Sequence, residues 1–141
     1  MNNQPLAPPI IQNEFVSSLA LNSDGSVLAT GDSAGVLRLW DTATGQMIGD
    51  PIPEYERGFN TITFSPDDKL IASGGFDEII VRDIESRQLI IPPIPTGANT
   101  LIFQPNTTTL ISTESFGFPA YLWDYTNGVL VGDINDYYTN F

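Results

Sequence analysis

Along Thr61-Ile62-Thr63-Phe64-Ser65, small polar residues alternate with large apolar ones. A period of two places Ile62 and Phe64 on one face, the signature of a half-buried strand. An apolar stretch of this kind, a tight turn and a short apolar return occur three times. Leu19-Ala20-Leu21 leads through Ser23-Asp24-Gly25 to Val27–Ala29. Ile62-Thr63-Phe64 leads through Pro66-Asp67-Asp68 to Leu70–Ala72, and Leu101-Ile102-Phe103 leads through Pro105-Asn106 to Leu110-Ile111. The turns carry Gly, Asn, Asp and Pro, residues that either tolerate positive φ or preset a bend.

Each unit continues into a third strand that ends on an aspartate: Leu37–Asp41, Ile80–Asp83 and Tyr121–Asp124. The residues before those aspartates, Trp40, Arg82 and Trp123, lie 42 and 41 residues apart. That period predicts a four-stranded propeller blade. The fourth strands are Gln46–Ile52, Gln88–Ile94 and Val129–Ile134, and Gln4–Ile10 matches them at the start of the chain. Proline is tolerable there because an outermost strand has no ladder partner on one side. No segment longer than a few residues shows helical periodicity, and 11 prolines and 12 glycines interrupt any candidate. The expectation is therefore an all-β chain, a partial β-propeller of three four-stranded antiparallel blades. They span about 15–53, 59–95 and 98–134, with an extra N-terminal outer strand at 4–11, as a single array over 1–141.

Phe64-Ser65-Pro66-Asp67, Leu70-Ile71-Ala72-Ser73-Gly74 and Leu37-Arg38-Leu39-Trp40-Asp41 together resemble WD-repeat (tryptophan–aspartate repeat) proteins, from about residue 4 onward. Thr44–Gly49 is similar to WD repeats found behind signalling NTPase or kinase modules. The resemblance implies a structural network in which a histidine of a Gly-His dipeptide joins Asp, Ser/Thr and the Trp. The chain has no histidine. The Asp position is matched by Asp77 in the second repeat, by Ala34 in the first, and by an altered loop, Phe116-Gly117-Phe118-Pro119, in the third. Arg82 replaces the tryptophan of the second repeat, with Asp77 or Glu78 as its expected partner. The blades are accordingly expected to rely on packing and to be of modest stability.

Composition narrows the function. The chain has 141 residues, 41% of them hydrophobic, enough for a packed core. No stretch approaches the roughly 20 apolar residues of a membrane helix. Met1–Pro5 has the character of no secretory signal, and a cytoplasmic location with no membrane partner is expected. There is no cysteine, hence no disulfide and no thiolate metal site. The net charge of −12, from 17 acidic and 5 basic residues, disfavours nucleic acid, because phosphate backbones need Lys and Arg.

Catalytic patterns fare no better. Gly31-Asp32-Ser33-Ala34-Gly35 fits the G-x-S-x-G nucleophile elbow, but Val36–Trp40 reads as a strand where a helix is required, and no histidine can act as base. Asp67-Asp68 could suggest a metal or acid–base pair. Its equivalents are Asp24-Gly25 and Asn106-Thr107, which marks a turn. No Walker loop, dinucleotide fingerprint or Cys/His cluster is present, so no cofactor and no metal are expected. Asn106-Thr107-Thr108 also fits a glycosylation acceptor, which without a signal is read as chance.

The remaining candidates are loops. The resemblance implies that loops entering the first strands, and those joining second to third strands, share one face and bind partners. Glu54 belongs to this set, and the partner-binding candidates are Tyr55, Arg57, Phe59, Phe76, Phe116 and Phe118. Aromatics and arginine are favoured in binding hot spots. Phe59 and Phe76 have the competing role of packing between blades. The expected function is a non-catalytic protein-interaction scaffold taking a protein or peptide. The alternative is the detached sensor part of a signalling NTPase or kinase.

Three blades do not close a ring, since propellers use four or more. A longer propeller, a homo-oligomer such as two chains giving six blades, and an open arc all remain as ways to treat the exposed flanks. In a head-to-tail ring the segment at 4–11 would compete with the neighbour's own outer strand for one edge.

Overall fold

The computed structural model describes residues 9–10, 14–114 and 119–134. Among these residues eleven strands follow one another: β1 (Val16–Leu21), β2 (Val27–Asp32), β3 (Val36–Asp41), β4 (Ile52–Pro53), β5 (Thr61–Phe64), β6 (Leu70–Gly74), β7 (Ile79–Asp83), β8 (Thr100–Phe103), β9 (Thr109–Thr113), β10 (Ala120–Asp124) and β11 (Val129–Asp133). They form three antiparallel sheets in meander order, β1-β2-β3-β4, β5-β6-β7 and β8-β9-β10-β11. These are the three blades, with the first strands β1, β5 and β8 side by side. The expected extra strand at 4–11 falls almost wholly outside the described residues.

The outer strands differ from one another in a way the prolines explain. In the first blade the outer segment touches β3 at Trp40↔Met47 and again at Leu37↔Ile52, so four residues bulge against two. The second blade repeats this with Arg82↔Leu89 and Ile79↔Ile94, and its expected fourth strand reduces to those two single bridges. Pro51 in one segment, and Pro92 and Pro93 in the other, supply no amide hydrogen and break the ladder. The third blade has no proline there. β11 pairs continuously with β10 except for one shift between Leu122 and Trp123.

The aspartate closing each third strand shapes the next turn. Asp41 accepts amide hydrogens from Ala43 (2.9 Å) and Thr44 (3.1 Å), Asp83 from Ser86 (2.8 Å), and Asp124 from Thr126 (2.9 Å). The Ser86 amide at Asp83, and at Asp124 the Thr126 hydroxyl (2.6 Å) followed by its amide, favour the charged carboxylate and hold both acids below the usual carboxylate range. Four residues on, each turn needs a left-handed backbone, met by Gly45 (φ 72°), Arg87 (φ 65°) and Gly128 (φ 74°). Arg87 is the exception among these, because it carries a side chain where glycine is favoured.

Two apolar cores hold the blades together. The first joins Ala29, Leu37 and Leu39 of the first blade to Phe59, Ile62 and Ile71 of the second. The second joins Ala72, Ile79, Val81, Ile91 and Ile94 to Ala98, Leu101, Phe103 and Leu110 of the third. Side chains alternate along each strand, so the second blade packs one face on the first blade and the other on the third.

Candidate functional site

The loops entering β5 and β8 and the loops β2–β3 and β6–β7 gather at one end of the sheets. Glu54 and Tyr55 lead into β5, and both donate their amide hydrogens to the carbonyl of Gly35 (2.9 and 3.1 Å). Gly35 has φ 81°, and a Cβ there would lie 1.8 Å from the Tyr55 carbonyl oxygen. Only glycine allows this approach of the first blade's loop to the second blade.

Behind this contact lies a buried polar cluster. Ser73 donates its hydroxyl hydrogen to Glu54 Oε2 (2.7 Å), and Arg82 donates Nε to Glu54 Oε1 (3.2 Å). Arg82 Nη2 makes an ion pair with the same oxygen at 3.2 Å, and Nη1 donates to the Arg87 carbonyl. The Tyr55 hydroxyl donates to the Ser73 carbonyl (2.9 Å) and sits 3.0 Å from its hydroxyl. Burial is the largest influence on both acids, pushing the Glu54 carboxyl and the Tyr55 phenol upward, against the hydrogen bonds from Ser73.

Arg82 therefore pairs with Glu54, and not with Asp77 or Glu78 as the sequence suggested. Asp77 lies exposed at the loop tip. Glu54 comes from the blade-entry segment, which residue spacing within the repeat does not connect to β7. In the first and third blades the indole donates to the second strand instead, Trp40 Nε1 to Thr30 Oγ1 (3.0 Å) and Trp123 Nε1 to Ser112 Oγ (2.9 Å). Part of the network implied by the family resemblance thus persists without histidine.

The first blade does contain a buried carboxylate, two residues before Ala34. Asp32 has no exposed surface, accepts the amide hydrogens of Ala34 and Val36 (both 3.0 Å), and forms an ion pair with Arg38. Gly31–Gly35 is thus the end of β2 and a loop tied down by Asp32, and β3 follows it.

Tyr55, Arg57 and Phe76 come together around a cavity of ≈ 560 Å³, lined also by Glu54, Glu56, Asp77 and Glu78. Phe76 is 57% exposed, and the Arg57 guanidinium carbon stands 5.6 Å from its ring centroid. A smaller cavity of ≈ 150 Å³ borders Phe76 on the side of the third blade, lined by Asn60, Gly75, Gly97, Ala98, Asn99 and Glu114. Phe59 lies elsewhere. It is buried in the first core, edge-on to Tyr55 at 4.9 Å, over Gly31. Phe116 and Phe118 lie outside the described residues. Among the described residues no three of His, Cys, Asp and Glu gather to hold a metal ion.

Comparison with known proteins agrees with this architecture. The model of the family "WD domain, G-beta repeat" matches residues 10–41 and 52–81. WD repeat-containing protein SL1-17 of Schistosoma mansoni is 34% identical over 85 residues, covering 60% of this chain and 28% of that protein. Small ribosomal subunit protein RACK1z of Oryza sativa subsp. japonica is 29% identical over 94 residues, covering 63% and 27%. Apoptotic protease-activating factor 1 of Homo sapiens is 34% identical over 70 residues, covering 45% and 6%. The chain spans less than a third of the length of these relatives. Among solved structures, the computationally designed Ika4 protein superposes with a TM-score of 0.77 at 19% identity, over 94% of this chain and 79% of that one. At that identity the likeness is one of fold. With three repeated antiparallel sheets, a retained Trp–Ser/Thr bond in two of them and a family match across the first two, the chain carries WD repeats and has the fold of WD-repeat β-propeller blades.

Proposed function

We propose that this chain is a non-catalytic protein-interaction scaffold whose three blades act as one array. It presents the loop face around Tyr55, Arg57 and Phe76 to a protein or peptide, with Phe116 and Phe118 as further candidates by their place in the repeat. The observation that carries this reading is the exposed Phe76 ring, capped by Arg57 and set between two cavities. An exposed aromatic beside an arginine, on loops anchored between strands, is the arrangement that concentrates binding energy at protein interfaces. Phe59 supports the face from beneath by fixing Tyr55.

The relatives support the reading through their names alone, a ribosomal subunit protein among them. Nothing among them favours the detached sensor of a signalling NTPase or kinase over a scaffold. No helix among the described residues is long and apolar enough to cross a membrane, and a cytoplasmic location is part of the proposal. The test is selection of a displayed random-peptide library on the purified chain. Peptides enriched on the wild type should bind the Arg57→Ala/Phe76→Ala double variant at least tenfold more weakly, with unchanged circular dichroism. Equal binding to both proteins would remove this face from the function.

A further inference from the structure

Each blade has a leading face, turned toward the blade before it, and a trailing face, turned toward the blade after it. Register defines the rows. On leading faces the rows are Phe64–Ile71–Arg82 in the second blade and Phe103–Leu110–Trp123 in the third. On trailing faces they are Ala20–Ala29–Leu39 in the first blade and Thr63–Ala72–Val81 in the second. The two internal junctions therefore set a small residue of one inner strand, Ala20 or Thr63, beside an aromatic of the next, Phe64 or Phe103.

Among the described residues, two faces have no blade against them, and both are apolar. The leading face of the first blade carries Leu21–Leu28–Trp40, with Leu19 alongside. Leu19 is 63% exposed, whereas its equivalents Ile62 and Leu101 are buried, and Leu21 is 56% exposed. The trailing face of the third blade carries Ile102–Ile111–Leu122, with Ile102 54% exposed. The sizes are inverted relative to the internal junctions. The trailing position holds the bulkier Ile102 where Ala20 and Thr63 stand inside, and the leading position holds the smaller Leu21 where Phe64 and Phe103 stand.

We infer that these two faces are partners of each other, joined between two copies of this chain head to tail. Close-packed junctions tolerate volume-conserving exchanges and penalise overpacking. Ile102 against Leu21 brings together as many side-chain carbons as Ala20 against Phe64; Ile102 against a Phe-type leading face would overpack it. The new junction continues the internal ones, since it uses the same strands, the same register rows and the same apolar chemistry. A head-to-tail contact closes when its rotation allows. Two copies give six blades, within the four to eight of closed propellers. The outer edge of β10 is already filled by β11. The junction is thus made by packed faces and needs no strand exchange. Covering both flanks removes the exposed Leu19, Leu21 and Ile102 from water.

The experiment is sedimentation of the full 141-residue chain over a hundredfold concentration range. A single species of twice the chain mass is expected, and Leu21→Asp or Ile102→Asp should each weaken it at least a hundredfold. Both positions are exposed, so each variant should keep the wild-type circular dichroism. Leu21→Phe should weaken association at least tenfold, and Leu21→Phe combined with Ile102→Thr, which rebuilds the internal pattern, should restore it. A wild-type monomer would assign the flanks to blades of other chains, and a polymer growing with concentration would show joining without closure. Either result overturns the two-chain ring, as does a dimer indifferent to the aspartate variants.

Discussion

The two junctions between blades each have an apolar core and differ in how much polar fastening is added to it. The junction of the first and second blades is fastened by polar groups at both ends. Glu54 and Tyr55 bond to Gly35 at one end. At the other, Arg87 reaches across to the carbonyls of Ile48 and Asp50, and the Ser23 amide and hydroxyl donate to Asp68. The junction of the second and third blades rests on a core of Ile79, Val81, Ile91, Ile94, Leu101, Phe103 and Leu110, with Trp123 and Tyr125 against it. A bond from Thr96 to Glu114 (2.7 Å) adds to it at the loop face. The difference shows that one repeat can hold its neighbours in two ways. Polar fastening fixes geometry and responds to pH and salt; apolar packing contributes more per residue and responds to neither.

The largest effect should come from breaking the buried ion pair. Arg82→Met leaves the Glu54 carboxylate buried with Ser73 alone beside it, a change expected to cost about 3–5 kcal/mol in urea unfolding. A loss below about 1 kcal/mol would mean that Arg82 contributes little beyond its packing. Next comes the apolar junction. Val81 is buried, and Val81→Ala removes two methyl groups at roughly 0.8 kcal/mol each plus a cavity term, a loss of about 2 kcal/mol. That loss should be the same at low and high salt. A strong salt dependence would erase the contrast between the junctions.

The sequence revealed the repeat but not this contrast. Alternation and the spacing of Trp40, Arg82 and Trp123 located the three sheets, because register along a strand is written in a period of two. The outer strands were less legible. Gln46–Ile52 and Gln88–Ile94 look continuous in sequence, yet their prolines force a bulge that only pairing with β3 and β7 displays. The Glu54–Arg82 pair was invisible for another reason. Its partners are 28 residues apart, on a blade-entry segment and a third strand, and no local pattern links them. Residue type and loop position were enough to group Tyr55, Arg57 and Phe76, which line one cavity. The same reasoning grouped Phe59 with them, since an aromatic at a blade entry reads alike whether it faces solvent or core. Asp32 was passed over because the family pattern places its aspartate two residues later.

Arg87 tests the outer fastening on a smaller scale. Its guanidinium bonds two carbonyls of the first blade, and its backbone occupies a left-handed conformation that Gly45 and Gly128 hold in the other blades. Arg87→Ala loses the bonds and keeps the strain, costing about 1 kcal/mol. Arg87→Gly loses the same bonds and relieves the strain, so it should be the more stable of the two variants by about 1 kcal/mol. If the alanine variant equals the wild type, the fastening is ornamental and the junction rests on its core alone.

The smallest effect is also the most selective, because it isolates one carboxylate. Burial raises Glu54 above its ordinary value of 4.5, so the folded chain holds that proton more tightly than the unfolded chain does. Its contribution to stability is fully present below about 4.5 and is lost as pH rises through the folded value. Asp24, Asp67, Asp83 and Asp124 act in the opposite sense. They are lowered by hydrogen bonds, and their contribution is lost as pH falls below the ordinary aspartate range. Those four are unchanged in Glu54→Gln, so they cancel when the variant is compared with the wild type at each pH. The wild type should therefore gain on Glu54→Gln as pH falls from 7 toward 4.5, measured by urea unfolding at each step. A difference that grows instead with rising pH would mean that Arg82 and Ser73 outweigh burial. The polar junction would then be held by its charge, and not by the geometry that its hydrogen bonds impose.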